Sequence, residues 1–226
     1  MNKSASGTID LTLTESFTTP IRLILFDLGG VLVSLTPQHR SNCFVKEFGI
    51  DQDRFQSFLV SAVPDQFNTG KLSSTEFHQE AQQYLGVGLR ESIFKACWLK
   101  LIGDLKAENM VITSSLRNSG FRVGVLSNTD PWHWEHIRDL TPAFADFDPV
   151  FTSFELGVQK PDGEIFSAIC DIQSLDPAEI LLIDDSAVNL EAAEHAGWQV
   201  HHLVDNKQLA ALANQLTGQS GNDKRK

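Results

Sequence analysis

Five residues spread along the chain carry side chains suited to chemistry on a phosphate group. They are an acid, Asp27; a hydroxyl, Ser127; a cation, Lys160; and an adjacent acidic pair, Asp184 and Asp185. Together they supply a nucleophile, a hydrogen-bond donor, a positive charge and a carboxylate pair, which is a complete set for phosphoryl transfer. Any one of them alone would be weak support, because an Asp that follows a strand is often only a turn former or helix cap.

Three short apolar runs would bring these residues together. The runs occupy residues 21–26, 122–126 and 180–183. Unbroken hydrophobicity is typical of strands buried on both faces, as in a parallel sheet covered by helices. A polar position from the set above follows each run directly, and ligands of such sheets bind outside the carboxyl ends of the strands. We therefore expect the polar residues to line one crevice.

Helical patterns fill the segments between the runs, so the predicted fold class is α/β, a parallel sheet sandwiched by helices. Asp176-Pro177 and Ser186 are predicted helix starts. Between 36 and 106 the buried-strand pattern is replaced by apolar residues at helical spacing, such as Phe44 and Phe48. This segment is predicted to be an inserted helical domain over the mouth of the crevice.

These patterns predict the following division of the chain. Residues 1–20 form a flexible N-terminal tail, 21–35 and 107–216 the α/β core, 36–106 the helical insert, and 217–226 a polar, disordered tail.

Charge narrows the possible ligands. The formal net charge of -11 argues against a nucleic-acid surface, because such binding relies on Lys and Arg neutralising phosphates. A small phosphorylated metabolite needs only a local positive site, which a lysine, a metal ion and a few backbone amides can provide.

Cysteine use and hydropathy bear on the compartment. The three cysteines are odd in number and widely spaced, so neither a disulfide framework nor a zinc site is predicted. Apolar runs fall short of the roughly 18 residues of a membrane span, and the Ser/Thr-rich start lacks a signal-peptide centre. We predict a cytoplasmic protein without a membrane partner, and leave monomer and homodimer both open.

Four segments carry a family resemblance. FDLGGVL, VLSNT, GVQKPDGEIF and LLIDDSAVN resemble, in the same order, the four motifs of haloacid dehalogenase-like (HAD) hydrolases. With SNTDPWH and FNTGKLSSTEF, the chain is most similar to the branch that contains glucose-1-phosphate phosphatase and the N-terminal phosphatase domain of soluble epoxide hydrolase. The resemblance implies a Rossmann-like core with a cap domain and an Mg²⁺-dependent phosphatase for a small phosphomonoester, with a sugar phosphate favoured.

The resemblance also implies roles for individual residues. Asp27 would attack phosphorus and form an aspartyl-phosphate, and Lys160 would neutralise the developing charge. Mg²⁺ would be held by Asp27, Asp184, Asp185 and the backbone carbonyl of Gly29, since hard oxygen ligands suit this ion.

Four further residues have supporting roles. Ser127 and Asn128 would bind the phosphate together with Lys160, and Asn189 would orient Lys160 or the acidic pair. His133 would either border the pocket or pack in the interior, with packing slightly favoured.

Position 29 departs from the pattern of most phosphatases of this superfamily. They carry an Asp there, which protonates the leaving oxygen and then activates water, whereas this chain has Gly29. General acid-base catalysis is typically worth roughly 10²- to 10⁴-fold, so the enzyme is expected to be slow or selective. A substrate with a good leaving group, or an acid from the insert or from His133, would relieve the deficit.

Three alternatives therefore stay open. A 2-haloacid dehalogenase would use Asp27 without a metal and would not need the Asp184–Asp185 pair. A weakly catalytic phosphate-ligand binding or regulatory protein would fit Gly29. A phosphomutase normally needs the acid-base residue that is missing here.

Overall fold

The structure is a computed structural model that describes residues 19–223, with side chains described to residue 218. Most of the predicted N-terminal tail lies outside these residues. The strands are β1 Leu23–Phe26, β2 Val33–Leu35, β3 Ile102–Leu105, β4 Arg122–Ser127, β5 Val150–Thr152, β6 Ile180–Asp184 and β7 Gln199–His202. Five of them form one sheet in the order β5-β4-β1-β6-β7, with every neighbouring pair parallel.

Helices fill the connections between strands. They are α1 Pro37–Phe48, α2 Gln52–Leu59, α3 Ala62–Asn68, α4 Ser74–Leu85, α5 Glu91–Leu99, α6 Ala107–Asn118, α7 Pro131–Leu140, α8 Ser153–Leu156, α9 Gly163–Gln173, α10 Ala187–His195 and α11 Asn206–Asp223. Short 3₁₀ turns occur at Pro142–Asp146 and Pro177–Glu179.

The central strand β1 is buried on both faces, as its unbroken hydrophobicity predicted. Ile24 and Phe26 pack into one apolar cluster with residues of α6, α7 and α11. Leu23 and Leu25 point to the opposite side and pack with residues of α9 and α10. This alternation is the period of a strand, and burying both faces requires a helical layer on each side. The predicted α/β fold class is confirmed.

Helices α1 to α5 lie between β2 and β3 and are called the helical insert below. The insert has an apolar cluster of its own, built largely from phenylalanines. Phe67 stacks on Phe77 with ring centroids 4.2 Å apart, and Phe44 stacks on Phe55 at 4.4 Å. Such aromatic contacts add to the burial of large apolar side chains, so the insert is stabilised from within.

A disulfide joins Cys43 in α1 to Cys97 in α5, with their Cα atoms 5.3 Å apart. The prediction that the cysteines form no disulfide was therefore wrong. The two residues are 54 positions apart, and only the packing of α1 against α5 brings them together.

Two local predictions also differ from the structure. Asp176 precedes a single 3₁₀ turn rather than a helix, because β6 already begins at Ile180. The last helix, α11, continues to Asp223, through most of the segment predicted as a disordered tail. Within it, the Thr217 hydroxyl donates to the Ala213 carbonyl at 2.9 Å. Among the described residues, no helix is both long and apolar enough to cross a membrane.

Candidate active site

Asp27 lies at the carboxyl end of β1, the central strand of the sheet. Its backbone N–H donates to the Ile183 carbonyl of β6 at 2.9 Å, and its side chain is nearly buried. Ser127, also buried, ends the neighbouring strand β4, and Asp184 ends β6 on the other side. The sheet thus brings three of the sequence-predicted residues to one edge, as expected for the ends of adjacent parallel strands.

Lys160 connects these strand ends through its ammonium group. Its Nζ donates to Asp27 Oδ1 at 3.0 Å, to Asp184 Oδ2 at 2.6 Å and to the Leu126 carbonyl at 2.9 Å. Burial alone would lower the pKa of Lys160, but attraction to both carboxylates outweighs it, and the pKa is raised. The lysine is therefore a fixed cation beside the Asp27 carboxylate.

Asn128 holds the backbone on either side of the Lys160 side chain. Its Nδ2 donates to the Lys160 carbonyl at 2.7 Å, and its Oδ1 accepts from the Lys160 N–H at 2.8 Å. Asn128 was predicted to bind phosphate, and its two hydrogen bonds to the Lys160 backbone were not predicted. These two hydrogen bonds fix the position of Lys160, although the two residues are 32 positions apart in the sequence.

The adjacent acids of the pair occupy different environments. Asp184 is fully buried, and its Oδ1 accepts from the Ser186 N–H at 2.8 Å. Asn189 Nδ2 lies 3.2 and 3.1 Å from the two Asp184 oxygens, so of the two expected targets of Asn189 it contacts the acidic pair. Asp185 is exposed, and it lies so close to the loop after β1 that a Cβ at Gly30 would collide with its carboxylate.

Three carboxylates crowd together at this point. One oxygen each from Asp27, Asp184 and Asp185 can be chosen so that all lie within 4.8 Å of one another. Burial is the largest cause that raises the pKa of Asp27 to about 6; Lys160 opposes it and Asp184 adds to it. Burial, followed by repulsion from Asp184, also raises the pKa of Asp185. Such crowding is relieved by a hard cation, so the donor set fits Mg²⁺.

A second lysine, which no sequence motif indicates, supports the loop after β1. Lys106 Nζ donates to the Gly30 carbonyl, and Asn109 Nδ2 donates to the Val31 carbonyl at 2.7 Å. Lys106 also partly offsets the rise in the Asp185 pKa. Its position just after β3 gives no motif in the sequence, which is why spacing could not find it.

His133 lies in a separate buried network between α7 and the helical insert. Its Nδ1 lies 2.6 Å from Asp130 Oδ2 and its Nε2 lies 3.0 Å from the Trp98 carbonyl oxygen, while Trp98 Nε1 also donates to Asp130 at 2.8 Å. Both ring nitrogens are engaged by protein acceptors. This arrangement agrees with the expectation that His133 packs in the interior. It also leaves His133 without a free nitrogen that could serve as the acid missing at position 29.

The fold and the site together show a parallel sheet whose central strand ends in a nearly buried carboxylate, beside a buried lysine and two further carboxylates. A sequence profile of the haloacid dehalogenase-like hydrolases matches residues 21–197. The chain belongs to this family, as its motifs predicted.

Known relatives support the same class. A D-ribitol-5-phosphate phosphatase of Bacteroides thetaiotaomicron is 28% identical over 79% of this chain and 90% of its own length. A sesquiterpene phosphatase of Aspergillus oryzae is 26% identical over 88% of this chain and 98% of its own length. The crystal structure of a HAD family enzyme from B. thetaiotaomicron in complex with magnesium and inorganic phosphate aligns with a TM-score of 0.72 and 26% identity, covering 80% of this chain and 93% of that one.

Proposed function

We propose that this protein is an Mg²⁺-dependent phosphatase that hydrolyses a small phosphomonoester through an aspartyl-phosphate on Asp27. The observation that carries the proposal is the position of the Asp27 carboxylate, 3.0 Å from Lys160 Nζ and grouped with Asp184 and Asp185. The phosphatase names of the two relatives, and the magnesium and phosphate bound in the aligned crystal structure, support it.

In the first step, an Asp27 oxygen attacks phosphorus, the bond from phosphorus to the leaving oxygen breaks, and that oxygen departs with the electron pair. Lys160 stabilises the charge on the phosphoryl oxygens, aided by the Ser127 hydroxyl and neighbouring backbone N–H groups. In the second step, water attacks the aspartyl-phosphate, which releases inorganic phosphate and regenerates the Asp27 carboxylate.

Asp27, Asp185 and the Gly29 carbonyl would hold Mg²⁺, with Asp184 beside them. When bound, the ion neutralises phosphate charge and reduces repulsion between substrate and nucleophile. Asp184 has a second task, because one of its oxygens accepts from Lys160 and thereby orients the cation. Asn189 and Asn128 are positioning residues that hold Asp184 and Lys160, respectively.

The helical insert would act as the cap that encloses the substrate. It departs from the core through β2 and returns through β3, which pair with each other beside the loop after β1. The chain would use it to select the alcohol part of the substrate, with sugar phosphates as the expectation from sequence.

The test is phosphate release from p-nitrophenyl phosphate and a panel of metabolite phosphates, with Mg²⁺ and with EDTA. We expect Mg²⁺-dependent release that Asp27→Asn abolishes, whereas the exposed Asp139→Asn serves as a matched control and keeps activity. Full activity in Asp27→Asn would refute the mechanism. Halide release from 2-haloacids without metal would favour the dehalogenase, and tight phosphate-ligand binding without turnover would favour the binding protein.

A further inference from the structure

The four residues 127–130, where β4 runs into α7, make contacts in two directions and are called the β4–α7 junction below. The first two belong to the active site, where Ser127 ends the strand beside β1 and Asn128 holds the Lys160 backbone. The last two connect to the helical insert, one through an intervening side chain and one directly. The junction therefore lies between the catalytic lysine and the insert.

Ser153 links the junction to the insert on one side. Its Oγ accepts from the Thr129 N–H at 3.0 Å and donates to the Asn68 carbonyl at 2.6 Å, while the Thr129 carbonyl, at 3.1 Å, is a longer alternative acceptor. Asn68 is the last residue of α3, and a carbonyl at a helix end has no partner within its own helix, so Ser153 supplies one. Ser153 is completely buried, so its hydroxyl is committed to these protein partners.

A close backbone contact reinforces the same link. Gly70, in the turn after α3, has a φ of +67°, and a Cβ placed on it would collide with the Phe154 carbonyl oxygen. The turn therefore touches α8 directly, at a distance that only glycine allows. Gly49 in the insert offers a comparison, because its φ is +64° but a Cβ there would meet nothing within 4 Å.

Asp130 links the junction to the insert on the other side. It is completely buried, and its Oδ2 accepts from Trp98 Nε1 of α5 at 2.8 Å. Burial alone would raise the pKa of Asp130, but attraction to His133 and the hydrogen bonds it accepts outweigh burial, and the pKa is lowered. The bond to Trp98 is thus charge-assisted and stronger than a neutral one. It would keep the insert attached if the Ser153 link were removed.

We infer that Ser153 is a positioning residue, which couples the helical insert to the β4–α7 junction and, through Asn128, to Lys160. The inference rests on the proposed function and deepens it, because the seating of the insert would then set the geometry that stabilises the phosphoryl group. Small displacements suffice for a large effect, since a misplacement of about 1 Å can cost roughly 10²-fold in rate.

Hydrogen–deuterium exchange with mass spectrometry measures this coupling without turnover. Coupling between two sites is reciprocal, so Mg²⁺ with inorganic phosphate should slow amide exchange at residues 66–72 of the insert as well as in the junction. Ser153→Ala should abolish the slowing at 66–72 and retain it in the junction. Thr152→Val is the matched control and should behave as the wild type, because the buried Thr152 hydroxyl donates to Glu155 at 2.6 Å and not to the insert.

Kinetics separate positioning from a general loss of structure. With p-nitrophenyl phosphate, Ser153→Ala and Gly70→Ala should each lower kcat roughly tenfold, with Mg²⁺ affinity unchanged. Gly49→Ala adds similar backbone strain without the collision and should keep the wild-type kcat. In combination with Asn128→Ala, Ser153→Ala should cost less than the product of the two single effects, because both act through Lys160.

The outcomes distinguish the inference from the proposed function. The inference is wrong, and the phosphatase intact, if phosphate does not slow exchange at 66–72 in the wild type, if Ser153→Ala turns over as fast as Thr152→Val, or if its effect multiplies fully with that of Asn128→Ala. If Mg²⁺ and phosphate slow exchange nowhere in the wild type and no ester releases phosphate, both proposals fail.

Discussion

Replacing the proposed nucleophile should make the metal-free protein more stable above pH 6. Burial is the largest cause that raises the pKa of Asp27 from 3.8 to about 6, with Lys160 opposing and Asp184 adding to it. A carboxyl whose folded pKa is raised contributes stability that is fully present below its unfolded pKa and is lost as pH rises through the folded pKa. The wild type therefore loses stability between about pH 4 and pH 6, whereas Asp27→Asn does not.

The size of this effect follows from the gap between the two pKa values. At about 1.36 kcal/mol per pH unit, the gap corresponds to on the order of 3 kcal/mol at pH 7.5, shrinking toward zero near pH 4. A loss of stability from an ionised, buried carboxylate is typical of a site that serves catalysis rather than stability. Saturating Mg²⁺ should stabilise the wild type more than the variant, because the variant lacks one of the three clustered carboxylates.

The assay is urea denaturation in EDTA at several pH values between 4.5 and 8, with Asp139→Asn as the exposed control. We expect the free energy of unfolding of Asp27→Asn to exceed that of the wild type by an amount that grows with pH. A variant that is less stable than the wild type at pH 7.5, or a difference that does not change with pH, would refute this account of the Asp27 environment.

Three other perturbations test the surroundings of the site. Lys160→Met should lower the free energy of unfolding at pH 7.5 by about 3–5 kcal/mol, because it leaves buried carboxylates without their cation; an unchanged urea midpoint would contradict this. Asn128→Ala should lower kcat roughly 10- to 100-fold, because Lys160 would be misplaced, while the Mg²⁺ affinity measured by calorimetry stays constant. A change in KM with kcat unaltered would contradict this role of Asn128. Cys43→Ser combined with Cys97→Ser should lower stability by about 2–4 kcal/mol, and a reducing agent should have the same effect on the wild type but none on the double variant.

The parts of the fold that the sequence predicted are those governed by local patterns. The buried runs before Asp27, Ser127 and Asp184 became parallel strands, because their hydrophobicity suits a sheet covered on both faces. Adjacent parallel strands then bring their ends together without further information. Lys160 could be identified only through its motif, since a lysine in a loop is ordinarily solvated.

What could not be predicted depends on contacts between distant segments. The pairing of Asn128 with the Lys160 backbone and the Cys43–Cys97 disulfide arise only when separate elements pack. For His133, interior packing was slightly favoured over a place at the pocket, and the buried ring agrees with packing, but its partners, Asp130 and the Trp98 carbonyl of the insert, could not be inferred from the sequence.

The central claim is that phosphate passes through Asp27, and trapping the intermediate tests it most directly. Without an acid-base residue at position 29, the attack of water is slowed as well, so aspartyl-phosphate should accumulate during turnover of an aryl phosphate. Rapid acid quenching followed by peptide mass spectrometry should find a phosphoryl group on the Asp27 peptide at close to one per protein, preceded by a burst of phenol of the same size. Steady turnover with no phosphorylated Asp27, or with the label on another residue, would contradict the account.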